Sequence, residues 1–124
     1  MSIFYVDGQY LPAEEAVIPV DDLSILRGVG VFDFMRTFNG KPHYIEEHVV
    51  RLKNSARKIG LKLPWSKEDI IAIVKTTLEK NQLPEANIRI VITGGSSPDF
   101  ITPQGNPRLL VLVTPITLPP SKWY

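Results

Sequence analysis

Asp22-Leu23-Ser24-Ile25-Leu26-Arg27-Gly28-Val29-Gly30-Val31-Phe32-Asp33-Phe34-Met35-Arg36-Thr37-Phe38 joins a short helical turn, two closely spaced glycines and a long alternating strand. Successive strand side chains point to opposite faces, so Phe32, Phe34, Arg36 and Phe38 share one side and Val31, Asp33, Met35 and Thr37 the other. One arginine thus lies among three aromatic rings. Glycine directly before a strand marks a sharply bent entry, and Gly28 and Gly30 read first as a tight turn feeding a core strand. The strand behind them also offers a mixed apolar and cationic face to a small anionic ligand.

Upstream, Ile3 to Val6 and Gln9 to Leu11 form a hairpin about Asp7-Gly8, stopped by Pro12. Ala16 to Val20 reads as a short edge strand because Pro19 interrupts it, and Asp21-Asp22 caps one helical turn over Leu23 to Leu26. Downstream, Asn39-Gly40 turns the long strand back through Lys41 to Tyr44. Ile45, Val49, Leu52, Ala56 and Ile59 then fall on one helical stripe, with Gly60 as its stop. A second helix starts at Ser66, with Trp65 placed to staple onto Ile70, and runs to Asn81 with Ile70, Ile73, Val74, Thr77 and Leu78 inward. Ala86 to Thr93 alternates as a strand with one face on the core. The nearly all-apolar Arg108 to Thr114 reads as a central strand buried on both faces. Between these two strands Gly94 to Pro107 is a long, flexible, polar loop of the length at which binding functions are found. The expected fold is α+β: a mostly antiparallel sheet of about six strands with two amphipathic helices packed on one face.

At 124 residues the chain fits one domain with a real core, and 44% hydrophobic with 22% charged residues is a folded, not a disordered, composition. A net charge of +1 lacks the field that phosphate-backbone binding requires, so no nucleic-acid partner is expected. The absence of cysteine removes disulfides, thiolate metal sites and cysteine nucleophiles. Met1 to Gly8 has no basic n-region, and no segment approaches the ~20 apolar residues of a membrane span, so no membrane partner and a cytoplasmic location are expected. Phosphate loops, dinucleotide fingerprints, nucleophile elbows and metal-ligand spacings are missing, and no metal is expected. The remaining candidates are Arg27, Arg36, Arg51, Arg89 and the Gly94 loop. Spacing alone reads Arg51 as a solvated ion pair with Glu47, four residues earlier, and His48 as a helix-surface or supporting histidine.

Four motifs in order carry the reading further: Asp7-Gly8, Asp21-Asp22 with Arg27-Gly28-Val29-Gly30-Val31-Phe32-Asp33, Asn39-Gly40-Lys41-Pro42, and Glu47-His48-Val49-Val50-Arg51-Leu52. The sequence resembles the N-terminal domain of class IV (fold-type IV) pyridoxal-phosphate aminotransferases, the family of branched-chain and D-amino-acid aminotransferases and aminodeoxychorismate lyase. The resemblance runs over essentially the whole chain. It implies that Arg51 grips the phosphate of pyridoxal 5′-phosphate, a role a guanidinium off the core stripe is free to take. It places Phe32 and Phe34 on the substrate side-chain pocket, with Arg36 at the substrate end or in a structural pair within that wall.

The run Phe32 to Arg36 is most similar to that of branched-chain enzymes, with Asp33 where they carry glutamate and Phe34 where they carry glycine. A bulky Phe34 reshapes the pocket. D-amino-acid aminotransferases carry arginine and histidine in the loop after the Gly94 strand, where this chain has Asp99 and Phe100, so that reading loses ground. The implied activity is amino transfer between a branched-chain or other apolar amino acid and a 2-oxo acid, in a homodimer. Aminodeoxychorismate lyase chemistry is the alternative within the family, and a non-catalytic binding or assembly module the alternative outside it. The family's catalytic lysine belongs to a C-terminal domain, and none of Lys41, Lys53, Lys58, Lys62, Lys67, Lys75, Lys80 or Lys122 matches its motif. Residues 1–114 are thus expected to be the N-terminal domain and 115–124 the start of an interdomain linker. No catalytic residue is expected in this chain, which alone is expected to be inactive. Trp123 and Tyr124 are expected to be apolar surface left for a partner domain.

Overall fold

The computed structural model describes residues 2–116, and Trp123 and Tyr124 lie outside them. The main elements follow in the order β1 (Ile3–Val6), β2 (Gln9–Pro12), α1 (Leu23–Leu26), β3 (Gly30–Phe38), β4 (Lys41–Pro42), α2 (Ile45–Lys58), α3 (Lys67–Asn81), β5 (Ala86–Thr93) and β6 (Arg108–Pro115). The strands form one antiparallel sheet in the order β2-β1-β6-β5-β3-β4, which is the expected α+β architecture.

Alternation decides which side is covered. Met35 of β3, Ile88, Ile90 and Ile92 of β5, and Leu109, Val111 and Val113 of β6 are buried under α2 and α3, which contribute Val49, Leu52, Ala56, Ile70 and Val74. The opposite face carries Phe32, Phe34, Arg89, Leu110 and Leu112 at partial or full exposure. This corrects the expectation for β6: its Leu110 and Leu112 are only half-buried within the described residues. An apolar run meets two faces, but the helices cover one of them.

Three local features stand behind this layering. Ser66 and Asp69 close a reciprocal capping box at the start of α3. Glu85 crosses from the start of β5 to accept the amides of Asn39 and Gly40 at 3.0 Å, clamping the turn after β3. Asp22 caps α1 by accepting the Ser24 amide at 2.8 Å.

Three expected elements differ. Ala16 to Val20 is not a strand: Ala13–Glu15 forms a 3-10 turn and the following residues are irregular, with Val17 and Val20 exposed. Pro19 has no amide to donate to a ladder, and none of the five side chains carries a polar group that could order the segment otherwise. The return strand after Asn39-Gly40 ends at Pro42, although the His43 amide still reaches Arg36 O at 2.9 Å. Likewise α2 ends at Lys58, leaving Ile59 exposed. Among the described residues no helix is long and apolar enough to cross a membrane.

Candidate functional site

The chain enters β3 through the two glycines, and each is required for a separate reason. Gly28 sits at φ +64°, a conformation side-chain-bearing residues resist, whereas at Gly30 a Cβ would press to 3.2 Å from the Ile92 carbonyl oxygen of β5. Gly28 lets the backbone turn, and Gly30 lets β3 dock. Past this bend the strand presents different chemistry on its two sides.

On the open side Phe32 and Phe34 are 63% and 44% exposed. Register places Phe34 opposite Arg89 of β5, which in turn pairs with Leu112 of β6. The Arg89 guanidinium lies 5.2 Å from the Phe32 ring centre and 5.8 Å from that of Phe34. Two shallow grooves share this arginine. One, of about 330 Å³, is lined by Phe4, Phe34, Asn87, Leu112 and Thr114 besides Arg89; the other, of about 280 Å³, by Gly28, Gly30, Phe32 and Val91 among others. Among the described residues Arg89 has no acidic partner. Arg36 is placed differently: its Nε donates to Thr37 O at 2.9 Å and its guanidinium stacks 4.1 Å from the Phe38 ring centre. Its guanidinium is engaged with Phe38 and its own strand, whereas Arg89 faces both Phe32 and Phe34.

On the helix side Asp33 is buried against α2. Its Oδ2 accepts Arg51 Nε at 2.7 Å, and its Oδ1 accepts Arg51 Nη2 at 2.7 Å, His48 Nδ1 at 2.7 Å and the Phe34 amide at 2.9 Å. Burial pushes the Asp33 pKa up, but hydrogen bonds from Arg51 and His48 and the guanidinium charge outweigh it and hold the carboxyl below its ordinary range. The same pair raises the Arg51 pKa. Arg51 therefore pairs with Asp33, not with Glu47 as spacing suggests, while its side chain stays 66% exposed. The arrangement places Arg51 and the two phenylalanines on opposite faces of one strand, joined through Asp33.

The partner of Arg51 was readable in principle. Asp33 is an acid in a row of core-facing positions with Val31 and Met35, and a buried carboxylate demands a donor. A second buried acid follows the same rule. Asp22 Oδ2 accepts Thr93 Oγ1 at 2.7 Å and Arg108 Nη1 at 2.8 Å, tying α1 to the ends of β5 and β6.

The loop from Gly94 to Pro107 is stitched, not free. Leu23 N donates to Gly95 O at 2.9 Å, Ser96 Oγ to Asp21 Oδ1 at 2.7 Å, and Arg27 Nη1 to Ile101 O at 3.2 Å. Asp99, though exposed, caps the loop from within, accepting Ser97 Oγ, Ile101 N and Thr102 N, and those hydrogen bonds hold its pKa far below the ordinary range. Its charge is satisfied within the loop.

Comparison with known proteins identifies the family of this chain. The family model described as amino-transferase class IV matches residues 30–124. The chain belongs to the class IV aminotransferases. A Methanocaldococcus jannaschii protein assigned as a branched-chain-amino-acid aminotransferase is 33% identical over 114 residues, covering 90% of this chain and 40% of the relative. A D-alanine aminotransferase of Staphylococcus epidermidis is 29% identical over 113 residues, covering 89% and 40%. The fold matches that of the branched-chain aminotransferase of the archaeon Thermoproteus uzoniensis, solved with norvaline, at a TM-score of 0.84 and 24% identity, over 94% of this chain and 41% of that one. The chain thus spans about two fifths of the curated relatives it matches.

Class IV aminotransferases are pyridoxal-phosphate enzymes. The donor set at β3 and α2 fits that cofactor's phosphate. Asp33 occupies Nε and one Nη2 hydrogen of Arg51, while the exposed guanidinium keeps its Nη1 group and the second Nη2 hydrogen for an anion.

Proposed function

We propose that this chain supplies the phosphate-gripping and side-chain-selecting part of an aminotransferase site that moves an amino group between an apolar amino acid, branched-chain foremost, and a 2-oxo acid. The observation that carries this reading is Arg51, an exposed guanidinium held side-on by buried Asp33 on the strand that also presents Phe32 and Phe34. Pyridoxal 5′-phosphate, when bound, supplies the electron sink that makes the substrate Cα proton acidic. Arg51 anchors its phosphate through charge-assisted hydrogen bonds. Phe32 and Phe34 take the apolar substrate side chain and exclude water from it, and Arg89, 5.2 and 5.8 Å from their ring centres, offers a carboxylate its guanidinium. Arg36 stiffens the far end of the wall through Phe38. We further propose that residues 1–114 form an N-terminal domain completed by a lysine-bearing C-terminal domain, that the protein acts as a homodimer in the cytoplasm, and that this chain by itself does not turn over.

The D-alanine aminotransferase relative keeps a second reading open, transfer from D-alanine. The segment Gly94 to Pro107 carries no arginine or histidine of its own, which favours the first reading. One experiment separates them: amino transfer to 2-oxoglutarate by the protein expressed from its complete reading frame, with L-leucine, L-valine and D-alanine as donors. Turnover of the L-branched donors is expected. Turnover of D-alanine alone selects the second reading, and catalytic release of pyruvate from aminodeoxychorismate, offered separately without an amino acceptor, selects lyase chemistry.

A further inference from the structure

Arg51 has five N–H groups, and what it can offer an anion depends on which of them the protein itself uses. Asp33 is 4% exposed in its side chain and takes two of them, Nε and Nη2, in the bidentate manner that fixes a guanidinium in one plane. A long side chain that is mostly exposed would otherwise sample many rotamers, so the pair converts a mobile cation into a directed one.

His48 completes the device. Its Nδ1 lies 2.7 Å from Asp33 Oδ1 and 3.2 Å from Arg51 Nη2. Ionised Asp33 can only accept, so the 2.7 Å contact requires the proton on Nδ1. An Nδ1 that donates cannot also accept, and the second hydrogen of Arg51 Nη2 is therefore not consumed by His48. Oδ1 of Asp33 receives three donors in all, counting the Phe34 amide, which leaves the carboxylate no freedom to swing toward a ligand. Because the Phe34 amide is one of these donors, the same carboxylate locks the backbone of the aromatic wall to the arginine.

We infer that Asp33 and His48 are positioning residues: Asp33, held by the Nδ1–H of His48, presents the unused N–H groups of Arg51 to the cofactor phosphate. This rests on the assignment of Arg51 to that phosphate, and the test keeps the two apart. The protein from its complete reading frame is titrated with pyridoxal 5′-phosphate and with pyridoxal, which lacks the phosphate, and the ratio of the two dissociation constants measures phosphate recognition without turnover. Arg51→Met is expected to lower that discrimination about 100-fold, and Asp33→Asn about tenfold, with pyridoxal affinity held within about twofold. Asp33→Glu, which restores the acceptor pair, is expected to recover most of the loss, and His48→Gln, which keeps one donor, to lose less than His48→Ala. If Arg51→Met loses discrimination while Asp33→Asn keeps it, the positioning role is overturned and the phosphate assignment stands. If Arg51→Met keeps it, the assignment itself falls. Should Asp33→Asn fail to fold, as thermal unfolding would show, His48→Ala carries the test: unchanged discrimination overturns the role of the pair.

Discussion

A carboxylate removed from water is stable in a protein only when its oxygens are met by donors, and the two buried acids here are met in ways that give each a separate task. Asp33 directs Arg51, and Asp22 fastens α1 to β5 and β6. Asp22→Ala leaves Arg108 with Asp7 at 3.5 Å as its remaining acid and is expected to cost about 3–5 kcal/mol, read by urea unfolding. Phe34 works on the other side of the strand. Its ring borders the larger of the two grooves, so Phe34→Gly is expected to shift relative kcat/KM about tenfold toward bulkier apolar donors. An unchanged preference series would remove Phe34 from the substrate wall.

Between elements, the loop after β5 matters as much as the strands. Gly95 sits at φ +79°, and a Cβ there would clash with the Asn106 carbonyl oxygen. Gly95→Ala is expected to destabilise by more than about 1 kcal/mol and to open the 94–106 segment to limited proteolysis before the rest of the chain. The docking of this loop onto α1 was not legible in the sequence, because Gly, Ser, Asn and Asp favour turns without saying whether a turn is free or bound. What could be read was what a local period encodes. The alternation of Val31 to Phe38, the stripes of α2 and α3, and the turn at Asp7-Gly8 each follow from adjacent residues. Ala16 to Val20 misled because an apolar composition with no neighbour to pair with does not make a strand. Arg51 misled because i,i+4 spacing finds partners on the same helix, whereas Asp33 comes from the strand packed against it. The Arg51 site thus depended on a tertiary contact that the residue types hint at but no spacing states.

Across the whole molecule these carboxyls set the response to acid. Asp33 and Asp22 both titrate below the ordinary range when folded: burial opposes ionisation in each, and hydrogen bonds outweigh it, from Arg51 and His48 for the first and from the Ser24 amide, Thr93 and Arg108 for the second. A folded pKa below the unfolded one means their stabilisation is complete above the unfolded value of about 3.9 and is lost as pH falls through the depressed folded values. Stability is therefore expected to drop steeply below about pH 4, and Asp22→Ala to flatten that drop, in denaturant titrations across the range. The sheet order adds a different consequence. β1 pairs with β6, Tyr5 opposite Val111, so the first hairpin can claim its place only after nearly all the described chain has been made. During synthesis β1 and β2 must wait, without their inner neighbour, until β6 has left the ribosome. An assembly with so distant a closing contact is set to fold late and all at once, not progressively from its N-terminus.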